Sequence, residues 1–571
     1  MNPVDRVLRE QAVAWAAADP DPATAAMLRE LITAADAEDA AALEELADAF
    51  SGTLQFGTAG LRGRLGPGPN RMNRVVVCRA AAGLAQYLLD TGHAGEPVVI
   101  GFDARHNSDV FARDTAQIMA GAGMRAMVCP RPLPTPVLAG AILTYGACAG
   151  VVVTASHNPP QDNGYKVYLG DGSQIVPPAD AEIAARIAAV GLVADIPRAD
   201  DYVTLGEEVV QRYLDRVCGL ALPGGPRELS VAYTAMHGVG SPLMHAALTG
   251  AGFPAPLSVV AQDEPDPDFP TVSFPNPEEP GAMDLALALA GGVGVDLVLA
   301  NDPDADRCAA AIPTSLAAGD ADLGGYRMLT GDEVGALLGW WILERGRRAG
   351  RPVTGTYANS IVSSRLLGAI ARDAGLGFRE TLTGFKWISR AADDLVFGYE
   401  EALGYCVDPT AVRDKDGISA GLLLAELAAA LKSEGRGIQD VLDDLAVVHG
   451  VHATTQVSLR FVDLAEIPAL MASLRAEPPL AFGGLVVLEV VDLEAGSPEL
   501  PPTDGLKYLT GPGEEITGAR VIVRPSGTEP KIKAYLEVQA PVGVDGVARA
   551  RALAQTQLAR VADDVRARLT R

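Results

Sequence analysis

Leu297-Val-Leu-Ala-Asn-Asp-Pro-Asp-Ala-Asp-Arg307 is the stretch on which the fold reading turns. A short apolar run ends abruptly in a loop that carries Asp302, Asp304, Asp306 and then Arg307. Such a run, bounded by polar residues, reads as a buried strand. The same pattern recurs along the chain. Val98-Val-Ile100 runs into Gly101-Phe-Asp-Ala-Arg105, Val151-Val-Val153 into Thr154-Ala-Ser-His-Asn158, and Val231-Ala-Tyr233 into Met236-His-Gly-Val-Gly240. From Val75 onward these runs alternate with amphipathic helical segments, the signature of βαβ units and largely parallel sheets. Open α/β sheets bind ligands at the carboxyl ends of their strands, so repeated units could place several such loops around one cleft.

The bulk composition sets the limits. At 571 residues the chain is too long for one hydrophobic core and predicts three or four domains. With 48% apolar and 21% charged residues it is ordinary globular material. Its 46 basic and 72 acidic residues give a net charge of −26, which argues against nucleic acid or an anionic membrane as a partner. Six scattered cysteines with no C-x-x-C spacing read as buried small hydrophobes in a reducing compartment. No apolar signal segment or bilayer-length run is present, so a cytoplasmic location is the default expectation. Residues from about Asp19 to Phe50 have helical spacing and predict an N-terminal extension, 1–50. Breaks are expected at Asp195–Asp201, Thr314–Asp322 and His449–Thr454, and a long loop is expected from about Asp492 to Thr517.

Asp302, Asp304 and Asp306 can converge on one hard cation, because carboxylates two residues apart in a looped backbone share a side. An EF-hand is excluded, since Arg307 and Pro313 stand where Gly and Glu would be needed. The bland alternative is a solvated acidic turn. Ser156 sits in a tight loop after a strand, which alone is ordinary turn chemistry, and it lacks the G-x-S-x-G context of acyl-transfer enzymes. Asp162-Asn-Gly-Tyr-Lys166 reads as a turn with a lysine that could return to that site. Arg524-Pro-Ser-Gly-Thr-Glu-Pro-Lys531 offers a planar fork, hydroxyls, a glycine and a point charge, as a phosphate cradle or as a plain surface turn. Phe56-Gly-Thr-Ala-Gly-Leu-Arg62 presents one arginine on a Gly-rich turn, and Thr383-Gly-Phe-Lys-Trp387 a cation beside an aromatic. Glu400 and Glu401 suit sugar hydroxyls as acceptors; they also suggest glycosidase chemistry, but nothing in the sequence fixes their separation. His93, His245, His449 and His452 have no supporting neighbours and read as ordinary structural or surface residues.

In this order the motifs FGTAGLR (56–62), GFDAR (101–105), TASHNP (154–159), NGYK (163–166), MHGVG (236–240), DPDADR (302–307), TGFKW (383–387), YEEALGY (399–405) and RPSGTEPK (524–531) resemble the α-D-phosphohexomutase superfamily, the phosphoglucomutases and phosphomannomutases. NPEEPGAMDLA (276–286), TGFKW and EEALGY are most similar to the branch with phosphopentomutase and glucose-1,6-bisphosphate synthase. The resemblance implies four domains around a central cleft: three α/β domains with mixed, largely parallel sheets, and a smaller C-terminal α+β domain. They would span 51–208, 209–322, 323–448 and 449–571.

It further implies that Ser156 is phosphorylated in the resting enzyme, and that Asp302, Asp304 and Asp306 hold one Mg²⁺ that also touches the Ser156 phosphate. Arg62 and Lys166 match proton-transfer and phosphoryl-stabilising positions, with His157 and Arg307 beside them. Arg105, His237 and Lys386 fall in substrate-facing motifs, Glu400 matches a sugar-hydroxyl ligand, and Arg524, Ser526, Gly527, Thr528 and Lys531 match the grip on the non-transferring phosphate. The implied reaction interconverts a sugar 1-phosphate with the 6-phosphate, or the 5-phosphate of a pentose, through a sugar 1,6-bisphosphate that also serves as activator. Glucose 1-phosphate is the first expectation, with pentose and mannose phosphates and bisphosphate synthesis as alternatives, and the enzyme is a monomer or homodimer. A non-catalytic sugar-phosphate sensor is the rival from another class. Two departures stand out. Pro303 and Ala305 replace the glycines usual between the aspartates, and Ala402 replaces a serine common in hexose-specific enzymes.

Overall fold

The computed structural model describes residues 3–57, 60–314, 325–461, 463, 465–498, 500–526 and 531–570. It contains two compact units: Met1–Met328 with Gly404–Ala429, and Leu329–Leu403 with Ala430–Arg571. Among the described residues no helix is long and apolar enough to cross a membrane.

The first unit opens with three helices, Pro3–Ala18, Pro22–Asp36 and Ala40–Ala49, the latter two capped by the side chains of Asp21 and Asp39. Helix therefore begins well before Asp19. The small face of Ala12 and Ala16 closes on Leu28, Ile32 and Leu46, a stripe of alanines that carries little hydrophobic signal in sequence.

A six-stranded sheet follows, in the order Leu61–Arg64, Asp162–Leu169, Ala149–Val153, Pro97–Phe102, Arg125–Val128, Val203–Thr204. Its four strands from Ala149–Val153 to Val203–Thr204 run parallel, and Asp162–Leu169 is antiparallel to both its neighbours. The Asp162–Lys166 stretch expected as a turn is thus strand. Its glycine serves packing: a Cβ on Gly164 would lie 2.5 Å from the Thr154 carbonyl oxygen and 2.9 Å from that of Leu61. A five-stranded sheet comes next, ordered Tyr326–Met328, Ala309–Pro313, Leu297–Ala300, Val231–Thr234, Leu257–Ser258. The last three strands are parallel and the first two antiparallel. The break expected at Thr314–Asp322 falls, beyond Thr314, outside the described residues.

In the second unit Gly377–Thr381, Thr356–Ser360 and Leu395–Glu400 form parallel pairs. Helix Gly331–Arg348 beside them starts on a Thr330/Glu333 capping box. The C-terminal sheet is antiparallel, ordered Val451–Arg460, Lys531–Ala540, Gly518–Pro525, Leu506–Thr510, Leu485–Asp492, Ala481–Phe482, and the long helix Gly546–Leu569 shares its core. Leu506–Thr510 corrects the expectation of one long loop from Asp492 to Thr517. Leu506 and Tyr508 alternate into the core, a two-residue rhythm too short to stand out among Gly, Pro and Glu. Buried Glu537 ties this sheet to the rest of its unit, accepting from Ser364 Oγ at 2.9 Å and Arg365 Nε at 2.6 Å. It also pairs with Arg520 at 3.3 Å and His452 Nδ1 at 2.9 Å. Burial pushes Glu537 upward, but Arg520, His452 and Arg365 outweigh it and hold the carboxyl well below its ordinary range. His452 is structural, as expected, though far from lacking neighbours. Three α/β sheets followed by one antiparallel sheet is the fold class that the sequence predicts.

Candidate active site

The loop after strand Ala149–Val153 carries Ser156 in a left-handed conformation, φ +53°, which costs a serine about 1 kcal/mol. What enforces it is local. Thr154 Oγ1 accepts from the Ser156 backbone N–H at 2.8 Å. The buried Arg105 guanidinium donates to three carbonyls of the same loop, those of Ser156 (2.7 Å), Asn158 (2.5 Å) and Pro159 (2.8 Å), and to that of Asp162 (3.2 Å) at the start of the next strand. Arg105 is itself paired with buried Asp103 at 3.3 Å and lies over the Phe269 ring.

So held, Ser156 Oγ donates to Asp302 Oδ2 at 3.0 Å and lies 3.2 Å from His157 Nδ1. Asp302, Asp304 and Asp306 are fully buried, and one oxygen of each lies within 4.8 Å of the others. Lys166 Nζ bridges Asp304 at 2.8 Å and Asp306 at 2.9 Å. Arg307 Nε stands 3.8 Å from Asp302 and from Asp306, and Lys415 Nζ 3.2 Å from Asp306. Thr135 Oγ1 donates to Asp304 at 2.9 Å. Arg62, on strand Leu61–Arg64, donates to Asn158 Oδ1 at 3.2 Å. The first unit therefore gathers Arg62, Arg105, Ser156, His157, Lys166, Arg307 and the three aspartates.

The charges divide sharply. Burial, then Asp304 and Asp306, push Asp302 well above the carboxylate range against Arg307 and Lys166. For Asp306 burial is again the largest influence, but Lys166, Lys415 and Arg307 reverse it and hold the group low. Burial would lower Lys166, yet Asp304 and Asp306 keep it above its ordinary value, a firm cation. His157 is driven well below its usual value by burial and then by Arg307 and Arg62, so its imidazole is neutral. Asp304 Oδ1 and Asp306 Oδ1 are buried without hydrogen-bond partners. Three carboxylates, two of them with an orphaned oxygen, form an all-oxygen donor set that fits a hard divalent cation.

The neighbouring loop Met236–Gly240 braces this centre. The Val239 N–H donates to the Pro303 carbonyl at 2.9 Å, and a Cβ on Gly238 would lie 2.3 Å from Pro303 Cα. The His237 ring is turned to Thr271 Oγ1, 2.8 Å away. In the second unit, Glu400 Oε1 accepts from the Gly384 N–H at 2.9 Å, and Arg524 donates to Thr383 Oγ1. That joins the TGFKW loop, which starts the short helix Phe385–Ile388 holding Lys386, to both the glutamate and the arginine. The Ser526 N–H donates to the Lys531 carbonyl at 2.8 Å, while Gly527 and Thr528 lie outside the described residues. Glu401 turns inward to Ser360 and Ser363 Oγ, both at 2.9 Å, and is raised to about 7 by burial and then by Glu400 and Asp332.

Sequence reasoning missed Lys415, Thr135 and the Glu401–serine cluster. Asp414-Lys-Asp-Gly417 resembles any charged turn; the only hint is three charges directly ahead of an apolar helical run.

Comparison with known proteins identifies the family. The phosphoglucomutase/phosphomannomutase alpha/beta/alpha domains I, II and III match residues 53–193, 211–315 and 330–447, and the C-terminal domain of the same family matches 463–554. A probable phosphomannomutase of Haemophilus influenzae is 48% identical over 82% of this chain and 93% of its own. A probable phosphoribomutase of Schizosaccharomyces pombe is 36% identical over 93% of this chain and 94% of its own. The crystal structure of a putative phosphomannomutase from Thermus thermophilus superposes with a TM-score of 0.68 at 26% identity, covering 90% of this chain and 99% of the other. Matched across all four of its domains, the chain belongs to the phosphoglucomutase/phosphomannomutase family of isomerases, the α-D-phosphohexomutases, with pentose mutases among its relatives.

Proposed function

We propose that this enzyme interconverts a sugar 1-phosphate and the corresponding 6- or 5-phosphate through a phosphorylated Ser156 and a sugar bisphosphate. The observation that carries the reading is Ser156 Oγ, 3.0 Å from Asp302 and 3.2 Å from a neutral His157, in a strained loop that Arg105 locks. In the first half-reaction the P–Oγ bond breaks as a bond forms to the sugar hydroxyl oxygen, whose proton passes to a base while the freed Oγ takes one up. In the second, Oγ attacks the other phosphate of the bisphosphate and gives its proton to a base, as the P–O bond to the sugar breaks and the freed sugar oxygen takes up a proton. His157 Nδ1 is placed to hold or return that proton. Lys166, firmly cationic, together with Arg62 and Arg307, neutralises charge on the transferring group. Asp302, Asp304 and Asp306 would hold one Mg²⁺, which supplies further neutralisation at the phosphoryl oxygens.

Arg105 acts as a positioning residue, since its donors are spent on loop carbonyls, and His237 belongs to the loop that braces Pro303. Glu400 and Lys386 take the sugar hydroxyls, and Arg524, Ser526, Gly527, Thr528 and Lys531 take the phosphate that is not in transit. The acidic chain thereby meets an anionic substrate with cations confined to a few loops. We place the enzyme in the cytoplasm, with glucose 1-phosphate as the first substrate.

Pentose 1-phosphate is the second reading. Ala402 lacks a hydroxyl where hexose enzymes commonly carry serine, and the S. pombe relative is named a probable phosphoribomutase. A panel of sugar 1-phosphates, run with Mg²⁺ and a trace of glucose 1,6-bisphosphate as activator, separates the two. Ser156→Ala should abolish turnover on every member of the panel, and normal steady-state turnover by that variant would overturn the mechanism.

A further inference from the structure

Away from Ser156, still within the first unit, helices Thr135–Tyr145 and Glu208–Cys218 and the segment Asp408–Ser419 enclose a cavity of about 330 Å³. That size is at the lower end of small-molecule sites. Part of its wall is apolar, built by Val137, Ala141, Leu143, Val209, Val217 and Val412. Polar side chains line the rest of it, and most of the charged ones are paired. Arg216 is bound in a bidentate pair to Asp408 at 2.6 and 2.8 Å, and Tyr213 donates to Asp416 at 2.7 Å, so these are occupied. Arg212 has no carboxylate partner among the described residues. The Tyr145 hydroxyl is shielded from solvent yet has no hydrogen-bond partner. One free guanidinium and one orphaned hydroxyl on a partly apolar hollow describe a site for an apolar body with a single anionic head.

Both walls of this hollow end on the aspartates. Thr135, the first residue of one wall helix, donates through Oγ1 to Asp304 Oδ2 and through its N–H to the Asp304 carbonyl, each at 2.9 Å. On the opposite side, Asp416 lines the cavity next to Lys415, whose Nζ is 3.2 Å from Asp306. The Gly417 N–H then donates to the Ala305 carbonyl at 3.2 Å. A ligand that sets the spacing of the two walls sets the spacing of Thr135 and Lys415, and with it the shape of the carboxylate cluster between them.

We propose that this cavity is a regulatory site for a small amphipathic carboxylate, and that its occupancy alters divalent-cation binding at Asp302, Asp304 and Asp306. The site is independent of the sugar chemistry proposed above and is tested without it.

The probe is indole-3-acetate on the full-length protein, with indole-3-acetamide as its uncharged control, followed by ligand-observed NMR and calorimetry. The carboxylate should bind with Kd of about 1 mM or tighter. Arg212→Gln and Thr144→Trp, both at exposed positions on the cavity rim, should each weaken it about tenfold while circular dichroism shows an unchanged fold. Mg²⁺ affinity, measured by calorimetry, should change about fivefold or more when the probe is present at saturation. The proposal is overturned by an absence of binding at about 10 mM probe. Equal binding of the amide, binding undiminished in both variants, or an Mg²⁺ affinity indifferent to the probe would each overturn it as well.

Discussion

Lys415 lies 3.2 Å from Asp306 and 3.6 Å from Asp414, buried with both. A buried ammonium facing the aspartate cluster sets the charge felt by the serine and by any phosphate there, so Lys415→Gln should lower kcat by roughly 10²-fold and change KM little. Steady-state kinetics with the sugar 1-phosphate checks the split. Glu401 gives a pH signature of another kind. Its folded carboxyl is raised from 4.5 to about 7, so the folded state favours the protonated form. The stability this confers is complete below pH 4.5 and lost as pH climbs through 7, a swing of up to about 3 kcal/mol. Glu401→Gln should therefore gain Tm over the native chain steadily from pH 5 to pH 8, as thermal melts across that range will show, provided the amide keeps its bonds to Ser360 and Ser363.

Between elements, the aspartate loop and loop Met236–Gly240 are in direct backbone contact. Gly238→Ala would thrust a methyl against Pro303 and should cost about 1–3 kcal/mol along with the geometry of Asp302 and Asp304. Ala305 is the converse case. It stands in the left-handed region at φ +53°, where a glycine carries no penalty, so Ala305→Gly should be neutral or stabilising by up to about 1 kcal/mol. Chemical denaturation of both variants measures the two effects. This loop also shows how far the sequence could be read. The strand-then-polar-loop pattern puts Ser156 and the aspartates in loops that follow strands Ala149–Val153 and Leu297–Ala300, where the structure also has them, whereas Lys166, expected on a turn, lies within strand Asp162–Leu169. The stiffness that Pro303 and Ala305 suggest is visible as well, although the backbone angle is not. What escaped was tertiary by nature. Thr135 opens an apolar helix, Lys415 sits in a charged turn, and the Glu401 serines stand some forty residues upstream, so no local pattern joins them to the site.

At the scale of the molecule, the six cysteines are unpaired, and all are buried except the half-buried Cys218. Burial raises Cys148 to about 11, and Cys78 and Cys129 to about 12. A thiol-specific reagent should thus label the native protein slowly, Cys218 first, and all six groups quickly once it is denatured. The expectation of reduced, inert cysteines drawn from their spacing leads to the same experiment. The matched charges at the centre have a wider consequence. Asp304 and Asp306, both held low, face Lys166, Arg307 and Lys415 of their own chain while Asp302 is pushed toward its neutral form, so the cluster's charge is offset from within. Chelation should then silence the enzyme while moving its Tm by only a few degrees, roughly what one bound ligand contributes. A newly made chain would not have to wait for an ion in order to fold, and scarcity of the metal would leave a dormant reserve that revives on resupply rather than a pool lost to degradation.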